Sequence, residues 1–227
     1  MNRIHGGAAC LALVAGIVAG CRQTGDDAPV ARPSVEFVGG SLDFFPAALQ
    51  VSPFTGYYKE VFRRMSEPSM YGARIPAGMT VIRLLWFRSF DPVVVIRIAM
   101  TAERCTIGTT IDGVGVDEFG VPDLQGGMPG VAKRYGPLLR RDSSELDLER
   151  CGRVHANAIA ARLWSGSMTD TLFANDGGDI VFELADSSGY YVAKRTDTQR
   201  APEFWKVAAR FIELANVNPE QFKNGVW

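Results

Sequence analysis

Apolar residues between positions 55 and 66 recur at helical intervals, which places them on one face of a helix. The residues on this face are Tyr57, Tyr58, Val61, Phe62 and Met65. With Thr55 as a possible N-cap and Pro68 as a stop, the spacing predicts a first helix over residues 56–66. Residues 35–53 before it are apolar but aperiodic, and we expect them to wrap the core as a loop.

The spacing of apolar residues becomes strand-like in the next part of the chain. Residues 81–90 and 93–101 are rich in β-branched and aromatic residues, with a turn at Asp91-Pro92 between them. Because their apolar runs are unbroken, we expect both faces to be covered and the two strands to form the middle of a sheet. Residues 104–111 alternate instead, which predicts a third strand with Cys105 on its buried face and the other face open to water.

The second half of the chain is predicted to add a long loop, two helices and a hairpin. Residues 113–137 are rich in Gly and Pro and indicate a loop, with a brief strand at 131–135. Asp142 and Glu145 form a possible capping box for a helix over residues 143–164. The remaining elements are a hairpin of strands 179–185 and 190–195 and a helix from Pro202 to Asn216. The sequence therefore predicts an α+β domain with a mainly antiparallel sheet of about five strands, in the order α-β-β-β-α-β-β-α.

The N-terminal residues have the pattern of an export signal. Arg3 precedes an uninterrupted run of 13 apolar or small residues, Ala8–Gly20, which is shorter than the roughly 20 needed to cross a bilayer. The run closes on Val18-Ala19-Gly20-Cys21, which resembles the lipobox of bacterial lipoprotein precursors. An ordinary secretory signal, or an uncleaved N-terminal span with Cys21 as a bystander, remain the alternatives.

The lipobox resemblance implies a specific maturation of Cys21. In that family the thiol carries a diacylglyceryl group, the chain is cut before the cysteine, and the new amino group is acylated. Several acyl chains anchor a protein stably to a membrane. By resemblance to Gram-negative sorting, an Asp after the cysteine favours the inner membrane, whereas Arg22 here implies the outer membrane, facing the periplasm. We therefore expect a signal over residues 1–20, a flexible tether over 21–34 and a single domain over 35–227.

Removal of the signal leaves a weakly acidic chain. Arg3 is lost with it, so the 24 Lys and Arg fall to 23 against 25 Asp and Glu, a net charge of −2. This balance argues against a nucleic-acid partner. His5 is lost as well, and His155 alone cannot supply the two or three imidazoles of a zinc enzyme. The sequence predicts no metal and no cofactor.

Two cysteines remain once Cys10 is removed with the signal and Cys21 is lipidated. We expect Cys105 and Cys151 to pair, because disulfide bonds form and persist outside the cytoplasm. Two separate buried thiols that behave as small apolar residues are the alternative.

Three arginines lie on otherwise apolar strands: Arg83, Arg88 and Arg97. An arginine inside a covered sheet needs a carboxylate partner, and Glu183 on a later predicted strand is the natural candidate. The cluster is either an ion pair that supports the fold, which we favour, or a patch that recognises an anion through bidentate guanidinium contacts. Tyr190 and Tyr191 are more typical of the core or of a sheet face than of a binding site, and only if exposed would they form a second candidate binding surface.

No set of catalytic residues emerges from the sequence. His155 lies one position off the apolar stripe of its helix, without an orienting partner, and we expect it to pack at the boundary of the core. Two acidic groups could supply oxygen ligands to Ca²⁺, but turn formation explains them better. The first contains Asp112, Asp117 and Glu118, and the second contains Asn175, Asp176, Asp179 and Glu183.

The sequence indicates a location more clearly than an activity. Residues 83–90, 93–95, 176–177 and 190–192, with Glu183, resemble a family of uncharacterised proteobacterial proteins over about residues 79–215, and this resemblance implies no activity. Because no catalytic set accompanies the anchor, we expect a membrane-anchored, non-enzymatic lipoprotein that contacts an envelope protein or another envelope component. A periplasmic inhibitor or immunity protein and a hydrolase that uses a pair of carboxylates are the alternatives.

Overall fold

The computed structural model of this chain describes residues 43–50, 55–88, 92–112, 138–164, 168, 178–196 and 202–218. The predicted signal, Cys21 and the predicted tether lie outside these ranges, as does the predicted strand at 131–135. No helix in the described ranges is long and apolar enough to cross a bilayer.

Six strands and four helices make up the regular structure of the described residues. In chain order they are α1 (Ala47–Gln50), α2 (Thr55–Arg64), β1 (Thr80–Arg88), β2 (Val94–Met100), β3 (Cys105–Ile111), β4 (Arg140–Leu146), α3 (Leu148–Ala160), β5 (Gly178–Asp186), β6 (Gly189–Arg195) and α4 (Pro202–Leu214). The strands lie in the order β4-β3-β2-β1-β5-β6, and every neighbouring pair is antiparallel. The predicted α+β fold with an antiparallel sheet is therefore confirmed, with one strand more than expected.

Strands β1 and β2 form the middle of the sheet, as their unbroken apolar runs predicted. Helices cover the sheet on both sides, so side chains on both faces of these strands are buried. Helices α3 and α4 pack on one side, which we call the α3–α4 face. Helix α2 and the residues after it pack on the other side, which we call the α2 face.

Aromatic rings fill much of the α3–α4 face. Phe182 of β5 contacts Phe204 and Phe211 of α4 edge to face, with ring centroids 5.1 and 5.3 Å apart. Trp86 of β1 contacts Trp205 of α4 in the same way at 5.9 Å. Four residues of the apolar stripe predicted for α4 are buried here: Phe204, Val207, Ala208 and Phe211.

The helix predicted over residues 56–66 is confirmed as α2, and its apolar side lies on the sheet. Phe45 and Leu49 come before this helix and are fully buried, with the Phe45 ring 5.8 Å from the ring of Phe62. The expectation of a plain loop is wrong in part, because α1 is a short helix within that segment. Thr55 Oγ1 donates to the Leu49 carbonyl at 2.6 Å and so links α1 to α2.

Strand β4 takes up residues that the capping pattern assigned to a helix. It pairs with β3 along its whole length, although its sequence is polar and most of its residues are exposed. The predicted capping box at Asp142 and Glu145 is therefore wrong. Without β4, the backbone N–H and C=O groups on one side of β3 would have no strand partner. The hydrogen bonds that β4 forms with these groups outweigh the preference of Asp142 and Glu145 for a helix N-terminus.

Helix α3 consequently begins at Leu148 rather than at residue 143. Its N-cap is Asp147, whose side chain accepts from the Arg150 N–H at 3.1 Å. The apolar stripe is also narrower than predicted, because Ile159 is 55% exposed.

The second face of β3, predicted to be open to water, is buried at Thr106 and Thr110. These residues point to the α2 face. The prediction is wrong because the end of α2 reaches this part of the sheet, where Arg64 contacts Asp112 and Arg141, opposite Thr110, donates to the Met65 carbonyl.

A disulfide bond joins Cys105 at the start of β3 to Cys151 in α3, which confirms the predicted pairing. The two Cα atoms lie 6.6 Å apart, and both side chains are buried. The bond therefore fixes the beginning of α3 against the sheet.

We expect removal of the disulfide bond to lower the free energy of unfolding by about 4 kcal/mol, because a loop of 46 residues gains freedom mainly in the unfolded chain. Urea unfolding of the double variant Cys105→Ala, Cys151→Ala measures this loss. The wild-type chain under reducing conditions is the control and should match the variant. A loss below about 1 kcal/mol would contradict a structural role for the bond.

Candidate functional site

Arg83 lies at the centre of the sheet and faces charged residues on both neighbouring strands. It stands opposite Glu183 in the register of β1 with β5, and opposite Arg97 in the register of β1 with β2. Directly opposed residues point to the same side of a sheet, which here is the α2 face. Val81 and Leu85, two positions to either side of Arg83, are buried apolar residues on that face.

The ion pair between Arg83 and Glu183 is buried. Arg83 Nε and Nη2 each lie 2.6 Å from Glu183 Oε2, and the side chains are 0% and 1% exposed. Arg83 Nη1 donates to the Pro68 carbonyl at 2.6 Å, and the guanidinium carbon lies 3.9 Å from the centre of the Phe62 ring. The other oxygen of Glu183, Oε1, accepts from the Tyr190 hydroxyl at 2.7 Å. Protein groups therefore take the place of water around both charges.

Glu67 separates the two arginines, which would otherwise repel each other across the strand pair. Its Oε2 lies 2.8 Å from Arg97 Nη1 and 3.7 Å from Arg83 Nη1. Glu67 reaches this position because α2 ends in a left-handed turn: Ser66 has a φ of +49°, and the Glu67 N–H donates to the Phe62 carbonyl at 2.7 Å. Negative and positive side chains therefore alternate in the order Glu183, Arg83, Glu67 and Arg97, and their charges sum to zero.

We call this set of residues the charge row: Glu183, Arg83, Glu67, Arg97 and Tyr190. Burial and pairing shift two of its pKa values. Burial lowers the pKa of Arg83, but the carboxylates of Glu183 and Glu67 outweigh that effect, so this pKa lies above its usual value. Burial, and then the Glu183 carboxylate, raise the pKa of Tyr190 well above its usual value of about 10. Both groups therefore keep their protons at neutral pH.

The structure brings together three of the four residues predicted to cluster, two of them in direct contact. Arg83 and Glu183 form the ion pair, while Arg97 contacts Glu67 instead. The side chain of Arg88 lies outside the described part of the structure. Because the guanidinium of Arg83 contacts a carboxylate, a carbonyl and a ring of the same chain, this geometry favours an ion pair that supports the fold.

Two members of the charge row were not assigned to it from the sequence. Glu67 directly follows the predicted first helix, and a charged residue at a helix end near an arginine-bearing strand is the signal that could have indicated it. Tyr190 was expected in the core or on a sheet face, or else on an exposed binding surface, without a link to Glu183. It is half-buried and donates to Glu183, whereas Tyr191 is 43% exposed.

A second buried polar cluster surrounds Asp179 at the start of β5. The Tyr58 hydroxyl donates to Asp179 Oδ2, and the Thr196 hydroxyl donates to Oδ1 at 2.6 Å. Lys194 Nζ lies 3.1 Å from Asp179 Oδ1 and donates to Thr196 Oγ1 at 2.7 Å. These contacts attach α2 and β6 to β5, so Asp179 has a role in the fold.

The described carboxylates among those considered for metal or hydrolytic chemistry each contact a basic side chain of the protein. Asp112 accepts from Arg64, with Arg64 Nη2 3.0 Å from Asp112 Oδ1, whereas Glu183 is held by Arg83. No group of three or more His, Cys, Asp or Glu residues in the described ranges is arranged to hold a metal ion. The other candidates lie outside those ranges: Asp117, Glu118, Asn175 and Asp176.

His155 is half-buried on α3 and influences the Asp186 carboxylate in the turn between β5 and β6. Partial burial acts to raise the pKa of Asp186. Hydrogen bonds from the Ser188 hydroxyl and from the N–H groups of Ser188 and Gly189 outweigh it, and His155 acts in the same direction, so this pKa lies below its usual value.

The contacts of the charge row form an electrically neutral link between four strands and the end of α2. Its carboxylates accept hydrogen bonds from the protein, and its arginines donate to groups of the protein. A comparison of the whole sequence with protein-family models and with curated proteins finds no match to either.

We expect Glu183→Gln to lower the free energy of unfolding by about 3–5 kcal/mol, because the buried charge of Arg83 loses its nearest counter-ion. Urea unfolding measures the change. Glu149→Gln is a matched control, since it removes an exposed partner of Arg153, and it should leave the stability unchanged. The double variant Arg83→Met, Glu183→Leu should retain more stability than Glu183→Gln. An equal or larger loss in the double variant would contradict this account of the pair.

We expect the stability to fall as the pH rises above about 10, and Tyr190→Phe to weaken that dependence. The folded chain keeps the Tyr190 proton at a pH where the unfolded chain releases it, because the folded-state pKa is raised. This contribution is complete below the unfolded-state pKa and is lost as the pH rises toward the folded-state value. Urea unfolding across this alkaline range measures the slope. Tyr191→Phe should keep the wild-type slope, and an unchanged slope in Tyr190→Phe would refute the expectation.

Proposed function

We propose that this chain is a lipid-anchored lipoprotein of the bacterial cell envelope, and that its folded domain binds another component of the envelope. The motif Val18–Cys21 and the short apolar run before it support the lipid anchor. Arg22 supports a position on the outer membrane, facing the periplasm. The acidic balance of the mature chain supports a partner other than nucleic acid.

The observation that carries this proposal is the disulfide bond between Cys105 and Cys151. Disulfide bonds of this kind form and persist in oxidising compartments and are rare in the reducing cytoplasm. The bond is buried and joins a strand to a helix, so it is part of the fold. An exported domain accounts for the bond and for the N-terminal pattern together.

The described charged groups support a binding domain over a catalytic one. The buried acids Asp112, Asp179 and Glu183 each contact a basic side chain of the same chain. A hydrolase with a carboxylate pair needs two carboxylates that face one substrate site, but Asp112 and Glu183 are held by different arginines. A periplasmic inhibitor or immunity protein would be a narrower form of the same proposal, with a hydrolase or toxin as the partner.

We expect the mature protein to begin at a lipid-modified Cys21 and to sediment with the membranes. Mass spectrometry of the purified protein and density-gradient fractionation of membranes measure both properties. Cys21→Ala is the matched control, because it keeps the apolar run but removes the thiol and should abolish lipidation. Arg22→Asp should move the protein from the outer-membrane to the inner-membrane fraction. An unmodified Cys21, or an intact precursor in the cytosol, would refute the anchor.

The binding half of the proposal is tested by affinity purification from cross-linked envelopes. We expect one envelope component to be enriched with the wild-type chain. The variant Cys105→Ala, Cys151→Ala, which keeps the lipobox but weakens the fold, should lose that component. If no component were enriched above background, a binding role would be contradicted.

A further inference from the structure

The two edge strands of the sheet differ in how they are covered. At one edge, the Lys194 N–H of β6 donates to the Met168 carbonyl at 2.7 Å, so another segment is attached there. At the other edge, β4 pairs with β3 on its inner side, and every residue from Arg141 to Glu145 is exposed. Within the part of the chain that the structure describes, no strand pairs with the outer side of β4.

The outer side of β4 presents the backbone groups of alternate residues. The Asp112 N–H donates to the Val93 carbonyl at 3.0 Å, and this pairing continues the register of β3 with β2. Even-numbered residues of β3 therefore bond toward β2, and its odd-numbered residues bond toward β4. The odd-numbered residues of β3 stand opposite even-numbered residues of β4. The N–H and C=O groups that remain point outward, and they belong to Arg141, Ser143 and Glu145.

We propose that the outer edge of β4 binds β4 of a second copy of this chain, antiparallel and centred on Ser143, to form a two-fold symmetric dimer with one continuous sheet. In this register Ser143 faces Ser143 of the second copy, and Arg141 faces Glu145 of the second copy. The arrangement pairs all seven residues of β4. The three outward-facing residues of each copy would form about six backbone hydrogen bonds.

Charge complementarity favours this register over those that oppose like charges. Opposite charges that face each other across antiparallel strands are favourable, and this register produces two Arg141–Glu145 pairs. A register centred on Asp142 would place Asp142 against Asp142, and a parallel arrangement in register would place like charges side by side. A register centred between two residues would set outward-facing backbone groups against inward-facing ones.

Existing contacts hold the two charged side chains without excluding the new pairs. Arg141 Nη2 donates to the Met65 carbonyl, and Glu145 Oε1 lies 2.7 Å from Arg104 Nε. A guanidinium has five N–H donors and a carboxylate has two acceptor oxygens, so each can form a further hydrogen bond. Charges on an edge strand usually prevent pairing with arbitrary strands. Here the same charges would reject other partners and other registers while accepting a second β4.

Reversal of the two charges tests the register. Sedimentation velocity of the full chain in detergent measures the dimer. Arg141→Glu alone and Glu145→Arg alone should each weaken association about tenfold or more, because like charges then face each other twice. The double variant Arg141→Glu, Glu145→Arg restores opposite charges and should restore the dimer. Arg153→Glu, which reverses an exposed charge on α3, is the matched control and should leave association unchanged.

Cysteine cross-linking tests the centre of the pairing independently. Directly opposed Cα atoms in an antiparallel pair lie about 5.5 Å apart at hydrogen-bonded positions, which a disulfide bond can span. Ser143→Cys should therefore cross-link two copies on oxidation. Ser144→Cys, which would face Asp142 of the second copy, should give only the background seen with the wild-type chain.

A monomeric wild-type chain would overturn the proposal. So would a dimer that the single charge reversals leave unchanged, a double variant that fails to recover association, or equal cross-linking of the two cysteine variants. None of these results depends on the lipid state of Cys21. Failure of the anchor and failure of the dimer are therefore distinguishable.

Discussion

A guanidinium group buried in the middle of the sheet imposes the main constraint on this structure. Removing such a charge from water costs several kcal/mol unless hydrogen bonds and a counter-ion replace the solvent. For Arg83 these replacements come from two other parts of the sequence. Strand β5 supplies Glu183, and α2 with the residues after it supplies the Phe62 ring and the Pro68 carbonyl. Strand β1 can therefore be buried fully only when β5 and α2 are both in place, which couples the pairing of β1 with β5 to the packing of α2 on the sheet.

The charge row also selects the alignment of the strands. A pair of apolar residues of similar volume could be as stable as a buried ion pair, so stability alone does not account for the pair. A slip of β5 by two residues would bring Val181 or Ala185 opposite Arg83 and leave a buried charge without its counter-ion. Apolar strands by themselves tolerate such a slip more readily, since one buried apolar residue then replaces another.

Local patterns predicted the elements that are stabilised locally, and missed those that depend on distant pairing. The unbroken apolar runs of β1 and β2 and the stripe of α4 carried enough information to place them. Strand β4 is polar and contains a plausible capping box, and only its pairing with β3 makes it a strand. The partnership of Arg83 with Glu183 is an exception: it is distant in sequence but was predicted, because an arginine in a covered sheet needs a counter-charge. The position of Glu67 depends on the left-handed turn at Ser66, which no periodicity encodes.

The disulfide bond makes a closed covalent ring of everything between Cys105 and Cys151, and strands β3 and β4 both lie within it. A protease that cut the chain once between residues 112 and 138 would open that ring without releasing a fragment. The nicked protein would keep both strands attached to the rest of the domain and would separate into two pieces only after reduction. The disulfide bond would thus keep the two parts of the sheet covalently joined after a cut that would divide a reduced chain in two.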